Sequence, residues 1–334
     1  MRGRTTILFF ALAVLIILLF VVDMMVGSVG ISAQSVVAAL MGGECDPMTR
    51  KIVVDIRLMK AVVAILAGAA LSVSGLQMQT LFRNPLAGPY VLGVSSGASL
   101  GVALFILGAP LLGVGGSHIL SSFGVAGAAW IGSAAVLAMV GVVSRRIKDV
   151  MVILILGMMI GSAVSAVVQI LQYLSHEEAL KSFVVWTMGS LGDVTAEQLW
   201  LLLGAVFVGL VLAVSVIKPM NLLLLGEAYA RTMGLDVKRT RTLILFSTTL
   251  LAGTVTAFCG PVGFIGLAMP HVARAVFAQA DHRVLMPAAA MIGAVSLLVC
   301  DIVSKMLTLP LNSVTALLGI PIVVWIVVRN KNIV

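Results

Sequence analysis

Charge is what this sequence has least of. Asp, Glu, Lys and Arg make up 10% of its 334 residues, against about a quarter in an ordinary soluble domain. So few charged side chains cannot clothe a water-exposed surface, which excludes a soluble globular protein. Cysteine is scarce too. Cys45, Cys259 and Cys300 stand far apart, form no CxxC pair and are odd in number. Neither a disulfide framework nor a zinc site is supported, and the three read as small apolar fillers. The G-x-x-x-x-G-K-[ST] phosphate loop is missing: the one Lys followed by Ser or Thr is Lys181-Ser182, preceded by Leu180. ATP hydrolysis by that route is excluded. HExxH is also absent.

What is present in quantity is apolar. Hydrophobic residues are 61% of the chain and come in runs of about twenty, the length that crosses ~30 Å of hydrocarbon. Inside a bilayer every backbone N–H and C=O must be bonded internally, so helices or a closed barrel are the choices. The runs are continuous rather than alternating, which selects an all-α polytopic membrane protein. Ten spans are predicted, near residues 7–29, 58–80, 90–108, 121–143, 150–173, 198–217, 242–260, 263–276, 285–307 and 313–328. The basic start, Met1-Arg2-Gly3-Arg4, resembles a signal peptide, but no small-x-small cleavage site follows the apolar stretch. That favours an uncleaved first span.

With the N-terminus inside, 15 of the 21 Lys and Arg fall on the cytoplasmic side: Arg2, Arg4, Arg83, Arg145, Arg146, Lys148, Lys218, Arg231, Lys238, Arg239, Arg241, Arg274, Arg283, Arg329 and Lys331. Cytoplasmic loops carry such an excess. Ten spans put both basic ends inside, so the net charge of +8 is explained by topology and not by nucleic acid. The outer segments 30–57 and 174–197 have room for short surface helices. The longest cytoplasmic connection, residues 218–241, is mixed in charge and punctuated by glycine. Loops of that size in a compact protein usually carry function.

Gly93-x-x-x-Gly97-x-x-x-Gly101 and Gly157-x-x-x-Gly161 are packing signals, because small residues four apart let helix backbones approach in lipid. Ala67-Gly68 with Gly75 and Ala252-Gly253 with Gly260 share one spacing in spans of opposite direction, each followed by a Pro-containing break. An inverted repeat would produce that echo. Asp301 lies inside the ninth span with Lys305 one turn on, an acid-then-base order that suits pairing. Asp23 is placed near the outer interface. An ion-coupled carrier using Asp301 is the alternative these acids raise, although such carriers usually hold more inward ionisable groups.

Several stretches then resemble one family, the permeases of the iron-chelate and cobalamin uptake family within ABC transporters. They are Arg57-Leu58-Met59-Lys60, Gly68-Ala69-Ala70-Leu71-Ser72-Val73-Ser74-Gly75, Arg83-Asn84-Pro85-Leu86-Ala87-Gly88-Pro89 and Leu92-Gly93-Val94-Ser95-Ser96-Gly97-Ala98. Further on come Leu225-Gly226-Glu227, Ala230-Arg231, Met233-Gly234-Leu235, Gly260-Pro261-Val262-Gly263-Phe264-Ile265-Gly266-Leu267, Pro270-His271, Arg274, Asp281-His282-Arg283, Asp301 and Gly319-Ile320-Pro321. The resemblance implies a type II ABC importer permease fold with an inverted repeat, a single transmembrane domain over residues 1–334. It implies a homodimer in the bacterial inner membrane, two ATP-binding cassette ATPase subunits below it, and a periplasmic binding protein above. The cargo it implies is a metal chelate, a ferric siderophore or haem, with cobalamin as the alternative; no cofactor belongs to the chain.

The resemblance also assigns roles, each with a plainer reading beside it. Arg57, Lys60 and Lys305 would dock acidic side chains of the binding protein; otherwise they are long cations snorkelling at the interface. Asn84 and Leu86, with Val150 and Met151, would narrow the path at the cytoplasmic side; Asn84-Pro85 is otherwise a turn starter. Leu225, Gly226, Glu227, Arg231 and Gly234 would seat in a groove of the ATPase, supported by His271 and Arg274; otherwise the segment is a solvated turn. The sequence departs from the family where Lys60 and Lys305 replace arginines, where the stretch after Lys305 is short, and where Val150-Met151 is apolar.

Overall fold

The computed structural model describes residues 2–27, 29–108, 122–144, 147 and 149–329. Of the predicted cytoplasmic cations, Arg145, Arg146, Lys148 and Lys331 lie outside the described residues, as does the side chain of Val150.

Among the described residues the chain is helical, without strands. The predicted spans correspond to α1 (Arg2–Met25), α4 (Met59–Leu81), α5 (Val94–Ala103), α6 (Ser122–Ser144), α7 (Val150–Leu174), α9 (Ala196–Ser215), α12 (Val237–Cys259), α13 (Ile265–Phe277), α14 (His282–Leu307) and α15 (Leu311–Arg329). Between them lie short helices: α2 (Ala33–Met41) and α3 (Pro47–Lys51) before α4, α8 (Glu177–Thr187) before α9, and α10 (Ile217–Leu224) and α11 (Glu227–Thr232) before α12. Their ends follow local chemistry. The Ser32 hydroxyl and the Asp46 carboxylate accept the backbone N–H of Ser35 and Thr49, capping α2 and α3. Thr195 and Gln198 form a reciprocal capping box at α9.

The outer faces of α1, α7 and α9 are apolar and open. Phe10, Ile17, Met159, Tyr173, Trp200 and Phe207 all stand exposed, as lipid-facing side chains do. The centre is α4, buried along nearly its whole length. Its glycines explain how it fits: a Cβ at Gly68 would overlap the backbone of Gly293 on α14, and one at Gly75 the carbonyl of Gly266 on α13. Gly97 and Gly101 meet Gly132 and Ala128 on α6 in the same way. Helix backbones therefore touch where the small-residue spacing predicted. The Gln77 amide donates to Ser247 Oγ (3.1 Å) and accepts from Thr248 Oγ1 (3.0 Å), while Ser247 Oγ donates to the Gly209 carbonyl (2.9 Å), joining α4, α12 and α9.

The neighbour pattern repeats itself. α4 packs on α13 and α14, and α12 packs on α5 and α6. α5 packs on α6 and α7, and α13 packs on α14 and α15. Exchanging α4–α7 for α12–α15 reproduces the contacts, and α4 meets α12 where the halves join. The two sets begin at the second and seventh spans and so run in opposite senses, the arrangement of an inverted repeat.

Candidate functional site

Two polar clusters stand out, one on each side of the bundle. At one end, α1 finishes at Met25 with carbonyls that have no intrahelical donor. Arg57 supplies donors: Nη1 bonds the carbonyls of Met24 (2.8 Å) and Met25 (2.9 Å), and Nη2 bonds that of Val29. Arg57 reaches α1 from a π-helical stretch, Ile52–Leu58, that runs directly into α4. It is 4% exposed and so is not the rim cation its sequence position suggested. Lys305 is internal as well. Its ammonium lies 2.8 Å from Asp23 Oδ2 and 2.5 Å from Asp301 Oδ2. The Asp301 pairing was legible from the i,i+4 spacing; Asp23 was not, and it is fully buried rather than at the interface. Lys60 rests against Gly192. Together Arg57, Lys60, Asp301 and Lys305 line an open cavity of about 520 Å³ on this face.

At the other end, the connection after α9 folds into α10 and α11. Gly226, at φ 104°, breaks the chain between them. Gly234, at φ 82°, ends α11, and Leu235 N–H returns to the Ala230 carbonyl (3.0 Å). Both are backbone conformations a β-branched residue resists. Glu227 fastens α11 to α12 through Arg241 (2.9 Å) and is 3.5 Å from Arg231 on its own helix. Ala230 is buried beneath. Leu225, Tyr229 and Met233, within and flanking α11, are 63%, 50% and 59% exposed, apolar side chains that the rest of the chain leaves uncovered.

Beside this segment lies the turn after α4. Asn84 Oδ1 accepts the Leu86 N–H (2.9 Å), closing a local turn, and Leu86 is exposed. His271 Nε2 donates to the Pro85 carbonyl (2.7 Å). Arg274 Nη1 donates to Gln79 Oε1 (2.7 Å), and Gln79 Nε2 donates to the Leu267 carbonyl (3.0 Å). His271 and Arg274 thus hold α13 to the end of α4 and do not themselves reach the exposed face of α11. A side chain at Gly226 would come within 3.8 Å of Arg83 Nη1, so the two segments are adjacent. Met151 starts α7, capped by Asp149 (2.8 Å); among the described residues no hydrogen bond or ion pair joins it to Asn84–Leu86. Nor do the described residues gather three or more His, Cys, Asp or Glu as a metal site.

A helical bundle with paired internal charges, a structured segment at one end and, among the described residues, five helices long and apolar enough to cross a membrane has the architecture of a polytopic membrane protein. Its sequence matches the FecCD transport family over residues 15–329, and the chain belongs to that family. It is 37% identical over 281 residues to the vitamin B12 import system permease protein BtuC of Klebsiella pneumoniae subsp. pneumoniae, covering 83% of this chain and 82% of that one. It is 36% identical over 286 residues to the hemin transport system permease protein HmuU of Yersinia pestis, covering 83% of each. A solved structure described as an inward-facing conformation of a metal-chelate type ABC transporter superposes with a TM-score of 0.83 at 29% identity, covering 96% of this chain and 98% of that one. The chain is therefore an ABC importer permease, a multi-pass membrane transport subunit with the type II fold.

Proposed function

We propose that two copies of this chain form the membrane path of an ATP-driven importer for a metal chelate, a ferric siderophore or haem, with cobalamin as the alternative cargo. Two ATPase subunits energise it from the cytoplasm, and a periplasmic binding protein delivers the cargo. Both chain ends face the cytoplasm in this reading, which the excess of Lys and Arg in the loops of that side supports.

The observation that carries this reading is the α10–α11 segment. Exposed apolar side chains, Leu225, Tyr229 and Met233, sit on a segment pinned by Glu227–Arg241 and are left uncovered within the chain, and this segment adjoins the turn that would close the path. ATP-driven closure of the ATPase would move α11, and Arg83 and the α4 turn lie within reach of that motion. Leu225, Gly226, Glu227, Arg231 and Gly234 form the seat; His271 and Arg274 hold the turn in register. Asn84 orders that turn and Leu86 faces the path, and the family resemblance assigns Val150 and Met151, at the start of α7, to the same constriction. On the outer face Lys60 makes the contact to the binding protein, at the mouth of the cavity that Arg57, Asp301 and Lys305 also line. Binding of a candidate binding protein preloaded with haem, ferric siderophore or cyanocobalamin, followed by ATP-dependent uptake into proteoliposomes, tests the cargo. Uptake of haem or siderophore supports the proposal. Uptake of cyanocobalamin alone favours the alternative.

The ion-coupled alternative draws no support from Asp301. Its carboxylate is held by Lys305 at 2.5 Å.

A further inference from the structure

Asn221, His282 and Thr80 connect the two ends of the proposed coupling route. Asn221 lies on α10. Its amide nitrogen donates to Asp281 Oδ1 (2.6 Å), and its carbonyl oxygen accepts the backbone N–H of His282 (2.9 Å) and lies 2.7 Å from His282 Nδ1. The carboxylate can only accept and the backbone N–H can only donate, so the amide orientation is fixed and Nδ1 carries a proton. The far ring nitrogen, Nε2, is the acceptor of the neutral ring and lies 2.8 Å from Thr80 Oγ1, whose one proton serves either Nε2 or the Leu76 carbonyl at 2.9 Å. Thr80 sits in the last turn of α4, and Arg83 N–H bonds back to its carbonyl (3.3 Å) just ahead of Asn84-Pro85. His282 and Thr80 are 1% and 3% exposed.

A plainer account makes this the cap of α14. Capping, however, is already supplied by Asp281, which accepts the Arg283 N–H at 2.8 Å. That N–H, with the Asn221 amide, holds the Asp281 carboxyl below its usual range, so the anchor on which Asn221 pulls stays charged. Thr80 contributes nothing to the cap. What Asn221 and Thr80 add is a continuous line of directed bonds from α10, through the start of α14, to the end of α4. Apolar contacts can slide past one another, whereas a buried hydrogen bond that is pulled apart leaves both partners unsatisfied.

We propose that Asn221, His282 and Thr80 are a positioning relay that carries displacement of the α10–α11 segment to the turn after α4. The inference rests on the coupling and gating roles given above.

The test uses the permease dimer assembled with its ATPase in nanodiscs. Leu86→Cys is the reporter, labelled with a charged maleimide and read by mass spectrometry at that residue; Cys259 and Cys300 are buried. With the relay intact, ATP plus vanadate should change the labelling rate by about fivefold or more, the low end of ordinary coupling factors. Thr80→Val and Asn221→Leu should each reduce that change to less than about twofold while ATP hydrolysis continues. Thr80→Ser, which restores a hydroxyl, should recover it. The double variant should be no worse than either single one, because a line broken once is broken; two independent structural defects would add. If Asn221→Leu is not recovered from membranes, Asn221→Ser serves instead. A full nucleotide response in Thr80→Val and in the Asn221 variant would overturn the relay. Absence of any response in the relay-intact reporter would overturn the gate reading, and the relay with it.

Discussion

Replacing Lys305 by Met leaves two buried carboxylates without a counter-ion. Asp23 is fully buried and Asp301 is 5% exposed, and both depend on one ammonium at 2.8 and 2.5 Å. Removing one partner from a buried pair costs about 3–5 kcal/mol. Each kcal/mol moves the unfolding midpoint by roughly 2 °C in a chain of this size, so Lys305→Met should unfold about 6–10 °C below the parent in detergent, scanned at one fixed rate. The carboxylates, not lost packing, cause the loss, because Met preserves most of the apolar stem. Adding Asp23→Asn and Asp301→Asn should therefore restore most of the midpoint, since exchanging a whole buried ion cluster for neutral groups of similar shape is nearly free. A fall of less than about 2 °C, or a triple variant no better than the single one, would refute an internal, mutually dependent triad.

Three further outcomes follow from other contacts. Gly75→Val should prevent assembly of the bundle, because its side chain would occupy the Gly266 carbonyl position; recovery of a monodisperse protein at parental yield would contradict that packing. Glu227→Lys combined with Gly234→Val should leave expression unchanged and lower both transport and the stimulation of ATPase activity by loaded binding protein, since it breaks the tie to Arg241 and forces a β-branched residue to φ 82°. Normal transport by that variant would remove α11 from the coupling route. Lys60→Glu should slow capture of the binding protein and weaken its salt dependence, whereas Arg57→Ala should chiefly lower stability by freeing the end of α1; parental association across a range of salt by Lys60→Glu would contradict its docking role.

The spans were readable because the bilayer imposes a length on them, and an apolar run cannot conceal it. Gly226 and Gly234 were readable for a similar reason: each marks a place where only a residue without Cβ is comfortable, and the helix between them is as short as their spacing allows. Arg57 misled because a long cation at the end of a span usually reaches water, and nothing local to it records that the carbonyls of α1 needed a donor. Asp23 is separated from Lys305 by 282 positions, and Thr80 from His282 by 202. Helical periodicity orders neighbours three and four apart and carries no information about such pairs. Asp281-His282-Arg283 was visible as part of a resemblance, but the work of His282 appears only once α10 and α4 are placed on either side of it.

This chain should transport only when a separate ATPase moves it. Purified permease, reconstituted alone in proteoliposomes with a loaded binding protein outside, should take up no haem, ferric siderophore or cyanocobalamin under a proton or sodium gradient. Adding the partner ATPase and internal ATP should start uptake. Gradient-driven uptake by the chain alone would contradict the account and return Asp301 to consideration as a coupling acid.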